Sequence, residues 1–93
     1  MAPSPETLEG IEKAVALTEG VVTFHAFRAR RTGGKVAMDV HVQVDPALTV
    51  GEGHDIASAV RSSVMQADRS VVSVIVHVEP VQPLAPVPGG DHA

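Results

Sequence analysis

The chain has no cysteine, no tryptophan and no tyrosine, and its only aromatics are Phe24 and Phe27. Lack of cysteine excludes disulfides, thiolate zinc sites and thiol chemistry, and fits a reducing compartment. Basic residues are few: seven Lys and Arg against eleven Asp and Glu leave a formal charge of −4. Such a balance offers no basic stripe for a phosphate backbone, and two phenylalanines make a poor platform for stacked bases, so no nucleic-acid partner is expected. No apolar run reaches the roughly 20 residues that span a bilayer. No basic segment followed by an apolar core marks a secretory leader. These absences predict a soluble, cytoplasmic chain without direct membrane insertion. Ser62 and Ser63 have no adjacent base and no glycine-rich phosphate loop occurs, so no enzyme activity is expected.

What the chain does have is valine, alanine and histidine. Its 93 residues suffice for one small domain with a thin core, to which partner surface or bound metal would add stability. Ser4-Pro5-Glu6 reads as a helix start, with a serine cap, proline in the first turn and an acid at the positive helix end. Leu8, Ile11 and Val15 follow at helical spacing and Gly20 is a plausible stop, giving a first helix over about 5–18. Residues 21–31 read as a strand. Lys35 to Val44 is a second strand, with Val36, Met38, Val40, Val42 and Val44 on one face and Asp39, His41 and Gln43 on the other. Thr49-Val50-Gly51-Glu52 has the form of a capping box. The second helix runs from there to about Gln66, with Ile56, Val60 and Val64 inward. A third strand covers 71–79 and ends at Pro80, with Val72, Val74, Val76 and Val78 on one face and Ser73, Ile75, His77 and Glu79 on the other.

Parity predicts how the first two strands meet. Both are apolar at even numbers, and opposed residues share a face, so paired numbers must sum to an even value. A three-residue loop over 32–34 satisfies this and sets His25 opposite His41, with Cβ atoms roughly 5 Å apart. A two-residue Gly33-Gly34 loop would oppose apolar to polar positions. Arg28 and Arg30 interrupt the even face near the turn. A strand–helix–strand return to one sheet makes strands two and three parallel. The predicted fold is therefore α+β: an αββαβ, ferredoxin-like two-layer sandwich, with a three-stranded mixed sheet and two helices on its apolar face. Residues 1–4 are expected to be disordered, 5–80 to form the domain, and 81–93 to be a flexible Pro/Gly-rich tail.

The other sheet face then carries His25, His41, His77 and Glu79, with His54 one turn inside the second helix. A single histidine on a strand is more often a surface or satisfied core residue. Three imidazoles and a carboxylate on one face, with His54 near its rim, instead suit Zn²⁺, which takes about four N or O ligands, or other divalent transition metals such as Cu²⁺, Ni²⁺ or Co²⁺. Asp39 is a further ligand or a solvated carboxylate, Glu52 a cap, and His92 a solvated tail residue.

The runs Val40-His41-Val42-Gln43-Val44-Asp45-Pro46, His54-Asp55-Ile56-Ala57 and His77-Val78-Glu79-Pro80, in this order and spacing, resemble the C-terminal cytoplasmic domain of cation diffusion facilitator transporters. His25 with Arg28 fits the first strand of that domain, and the resemblance covers roughly residues 5–80. Magnetosome-associated and zinc-exporting members are the nearest in kind. The resemblance implies a metallochaperone-like fold and a V-shaped homodimer attached to a transmembrane antiporter. Metal bound between or along the two arms would tighten the dimer and regulate cation efflux. It also implies metal-binding roles for His25, His41, His54 and His77, and for Glu79 at a position where Asp or Glu occurs. An alternative is a stand-alone cytosolic protein that buffers or delivers metal ions. Zinc-dependent catalysis would need a pocket and a general base, and a plain interaction domain would leave the histidines incidental.

Overall fold

A computed structural model describes residues 1–81. Its elements are α1 (Pro5–Ala16), β1 (Thr23–Thr32), β2 (Lys35–Val44), α2 (Val50–Ala67) and β3 (Val71–Pro80). The sheet order is β1-β2-β3, with β1 antiparallel and β3 parallel to the central β2. This is the α+β, αββαβ arrangement with both helices packed over one face.

Each helix is bounded by the chemistry its sequence announces. Ser4 caps α1 by accepting the Thr7 N–H at 3.2 Å, Pro5 opens the helix, and Ile11 and Val15 are buried. α1 stops at Ala16, earlier than Gly20. Thr18 Oγ1 donates back to the Ala14 carbonyl at 2.8 Å, and Gly20 makes the turn toward β1 with φ of 94°. In α2 the capping box is complete: Thr49 Oγ1 accepts the Glu52 N–H at 3.0 Å and Glu52 Oε1 accepts the Thr49 N–H at 2.8 Å. Two backbone donors that the helix leaves unpaired are thereby satisfied. Val60 and Val64 are buried as expected. Gly53 and Ala57 join them, while Ile56 packs at the margin.

The core is mostly valine. Val36, Met38, Val40, Val42 and Val44 line the buried face of β2 and meet Ile11, Val15, Val60 and Val64 from the helices. A fully buried side chain of this size contributes roughly 1.5–3 kcal/mol, so β2, buried on alternate residues along its whole length, anchors the sheet.

Two bulges correct the strand reading. Thr23, Phe24 and His25 pair with Gln43, Val42 and His41 in the expected register, but Arg28 pairs with Asp39 and Thr32 with Lys35. The loop is therefore Gly33-Gly34, not 32–34. The extra residue is absorbed by a bulge between His25 and Arg28, where Ala26 takes φ of 52°. Beyond it the inward face switches from even to odd numbers, which is why Phe27 and Ala29 pack against the core while Arg28 and Arg30 are exposed. In β3 the register shifts so that Val71 pairs with Val36 and Ser73 with Ala37. Val71 is buried and Val72 is turned outward, so Val72 does not belong to the apolar face.

Residues 1–4, expected to be disordered, have two ties here: the Met1 carbonyl accepts the Arg31 N–H at 2.7 Å, and Pro3 is buried. Val81 donates to the Val44 carbonyl at 2.8 Å. The rest of the expected tail, with His92, lies outside the described residues.

Candidate metal centre

The uncovered sheet face carries a row of three histidines. His25 pairs with His41 across the antiparallel rungs, and His41 with His77 across the parallel ones. Strand alternation turns all three side chains away from the helices. The His41 and His77 rings stack, with centroids 4.4 Å apart and planes 16° from parallel. The His25 and His41 rings are 5.2 Å apart and tilted by 38°.

Glu79 sits one rung further along β3, in register with Gln43. Its long side chain reaches back diagonally over β2. Oε1 lies 2.8 Å from His25 Nε2, and Oε2 lies 2.6 Å from His41 Nδ1. Hydrogen bonds from His25 and then His41 hold the Glu79 carboxyl far below the ordinary carboxylate range, at about 2, while its partial desolvation opposes them. Glu79 is thus a full carboxylate at neutral pH, strung between two imidazole nitrogens from different strands.

Among the described residues, His25, His41 and Glu79 are the group able to hold an ion together: one donor atom from each lies within 4.8 Å of the others. Tetrahedral zinc at about 2.0–2.1 Å from N or O ligands sets those ligands roughly 3.4 Å apart. The imidazole–carboxylate separations of 2.8 and 2.6 Å are shorter than that, so the carboxylate would shift away from the two nitrogens to admit an ion between them. The donor chemistry fits as well, because two imidazoles and a carboxylate are ordinary ligands of borderline transition metals.

The other two expected ligands are placed differently. His77 is on the same face, but it stands beside His41 rather than in the convergent trio. His54 is exposed on the first turns of α2. It lines a separate open cavity of about 510 Å³ with Val44, Leu48, Val78 and Pro80, and meets the site only at its rim, where Glu79 lines the same cavity. Gln43 was not foreseen as part of the site. Its Nε2 donates to Glu79 Oε1 at 3.5 Å, and its position two residues after His41 on the same face was the available signal. Asp39 pairs with Arg28 at 3.4 Å, two residues before His41 along β2.

Residues 3–81 match the family described as cation efflux protein, cytoplasmic domain. The chain belongs to that family. Relatives of this cation efflux domain include Metal tolerance protein 2 of Oryza sativa subsp. japonica, 34% identical over 83 residues, which cover 89% of this chain and 21% of that protein. Manganese efflux system protein MneP of Bacillus subtilis is 32% identical over 76 residues, covering 82% of this chain and 26% of that protein. The chain thus spans about a fifth to a quarter of the length of these curated relatives. Among solved structures, a nickel form of a MamM CTD variant superposes with TM-score 0.80 at 28% identity, covering 85% of this chain and all of the other. A cadmium form of another MamM CTD variant gives TM-score 0.79 at 30% identity, covering 83% of this chain and 95% of the other. The fold expected from the cation diffusion facilitator resemblance is the fold these structures share. No helix among the described residues is long and apolar enough to cross a membrane.

Proposed function

We propose that this cation efflux domain is a non-catalytic metal sensor, held as a homodimer on the cytoplasmic side of a membrane transporter. A divalent transition metal, zinc by preference, binds His25, His41 and Glu79, with His77 as an adjacent fourth donor. His54 stands outside this convergent group and serves a neighbouring site at the mouth of its cavity. Metal neutralises the carboxylate and replaces the direct imidazole–carboxylate contacts, tightening the V-shaped dimer and regulating cation efflux. The observation that carries this reading is the convergence of His25 Nε2 and His41 Nδ1 on the two oxygens of Glu79. An imidazole-rich set favours Zn²⁺, Ni²⁺ or Cu²⁺ over Mn²⁺, which prefers oxygen ligands.

Calorimetric zinc titration of the parent chain and of His41→Ala, His77→Ala and Glu79→Asp tests it. His41→Ala should lose most affinity. His77→Ala should weaken binding by less than His41→Ala, because this fourth donor stands outside the convergent trio. Glu79→Asp should weaken binding because the shorter side chain cannot span from β3 to His25. Affinity should fall in acid, because a protonated imidazole cannot bind metal. Equal zinc affinity in all four proteins would sink the ligand assignment. Zinc-dependent compaction in small-angle scattering checks the dimer response.

A further inference from the structure

The charge of this acidic chain is segregated along the sheet. The β1–β2 turn, the α2–β3 turn and the start of α1 lie at one end, where the Val36 N–H reaches the Ser70 carbonyl and Met1 reaches Arg31. This end gathers Arg30, Arg31, Lys35 and Arg69, with Arg28 just behind them on β1. Arg28 is tied to Asp39, but among the described residues none of the other four forms an ion pair. The counter-charges nearby are Glu6 in the first turn of α1, with Glu9 and Glu12 further along that helix, and Asp68, whose carboxylate accepts from Ser70 and is attracted to Arg31. The opposite end, beside the histidines, carries Glu19, Asp45, Glu52, Asp55 and Glu79. The remaining cations, Lys13 and Arg61, sit on the helices.

We infer that the basic end is a docking surface for an anionic lipid bilayer. Four cations confined to one end, three of them exposed and Arg31 partly offset by Asp68, suit a plane, because a plane touches that end alone. A nucleic-acid duplex laid along the domain would meet the acidic residues. Clusters of four or more Lys and Arg beside a membrane are the usual footprint of anionic headgroup binding. An apolar group accompanies the charge: the β3 bulge leaves Val72, three residues after Arg69, 52% exposed. Repulsion of the acidic end by anionic headgroups would hold the metal centre out in water. The inference shares with the proposed function only the position beside a membrane.

Flotation of the 93-residue chain with vesicles of phosphatidylcholine, with and without phosphatidylserine, tests it. Binding is expected only to the phosphatidylserine vesicles, and should vanish near 1 M salt, where screening acts within about 3 Å. At about fivefold per cation, Arg30→Gln/Lys35→Gln/Arg69→Gln should lose roughly a hundredfold in partitioning. Arg30→Lys/Arg69→Lys should keep it, and Glu19→Gln/Asp55→Asn at the far end should not weaken it. Circular dichroism and zinc titration on the same samples separate a lost surface from a lost fold, and this inference from the metal-site reading. Binding to neutral vesicles alone, unchanged binding by the triple Gln variant, or duplex DNA competing as strongly as the vesicles would overturn it.

Discussion

Ala26 is the residue on which the placement of His25 turns. At φ of 52° it occupies the left-handed region, where an L side chain costs roughly 1–2 kcal/mol. Glycine adopts that geometry freely but loses more backbone entropy on folding, roughly 0.5–1 kcal/mol relative to alanine. The Ala26 methyl is exposed, so removing it forfeits little burial. The balance predicts that Ala26→Gly stabilises the metal-free domain by about 0.5–1 kcal/mol, or about 2–8 °C in Tm for a domain this small. Ala26→Val should do the reverse, because a β-branched residue at positive φ is strained. Relieving that strain by straightening the bulge would swing His25 off Glu79. Urea unfolding followed by circular dichroism gives the stabilities, and zinc titration reports the site: unchanged in the glycine variant, weakened in the valine one. A destabilised Ala26→Gly, or an Ala26→Val as stable as the parent, would refute the claim that a left-handed residue holds this bulge.

Gly20 has φ of 94°, and a Cβ there would lie 2.6 Å from Ile56 Cδ1, so Gly20→Ala should destabilise by about 2–3 kcal/mol from strain and overpacking together. Its cost should shrink in an Ile56→Ala background, and strict additivity in that double-mutant cycle would remove the steric part of the argument. Thr49→Ala should cost about 1 kcal/mol by breaking the capping box, and Thr49→Ser should restore most of it in thermal melts. Glu79 is depressed from 4.5 to about 2 in the fold. Its contribution is therefore present above pH 4.5 and lost as pH falls through about 2, since the unfolded chain takes up the proton first. Acid titration of metal-free Glu79→Gln should lack that part of the stability loss, and an unchanged acid profile would contradict it.

Much of the fold was legible because its signals are local. The cap before α1, the capping box before α2 and the strict alternation of β2 each follow from neighbouring residues. The parity rule was correct for Thr23 to His25 and failed beyond them, where Arg28 and Arg30 broke the even pattern. The break was itself the trace of the bulge, since one inserted residue reverses every inward-facing position after it. Val72 misled for the same reason. A run of valines does not reveal where a parallel ladder slips.

Composition and periodicity by themselves determined that this is a small αββαβ domain with a valine core and an open face bearing His25, His41, His77 and Glu79. Which of those donors converge was settled only in three dimensions. Glu79 bridges His25 and His41 because a glutamate can cross β2 from the adjacent rung, while His77 stacks and His54 is carried away on its helix. Strand alternation states which face a side chain is on. How far it reaches, and what it meets there, depends on register across two strand pairs and on bulges that periodicity does not resolve.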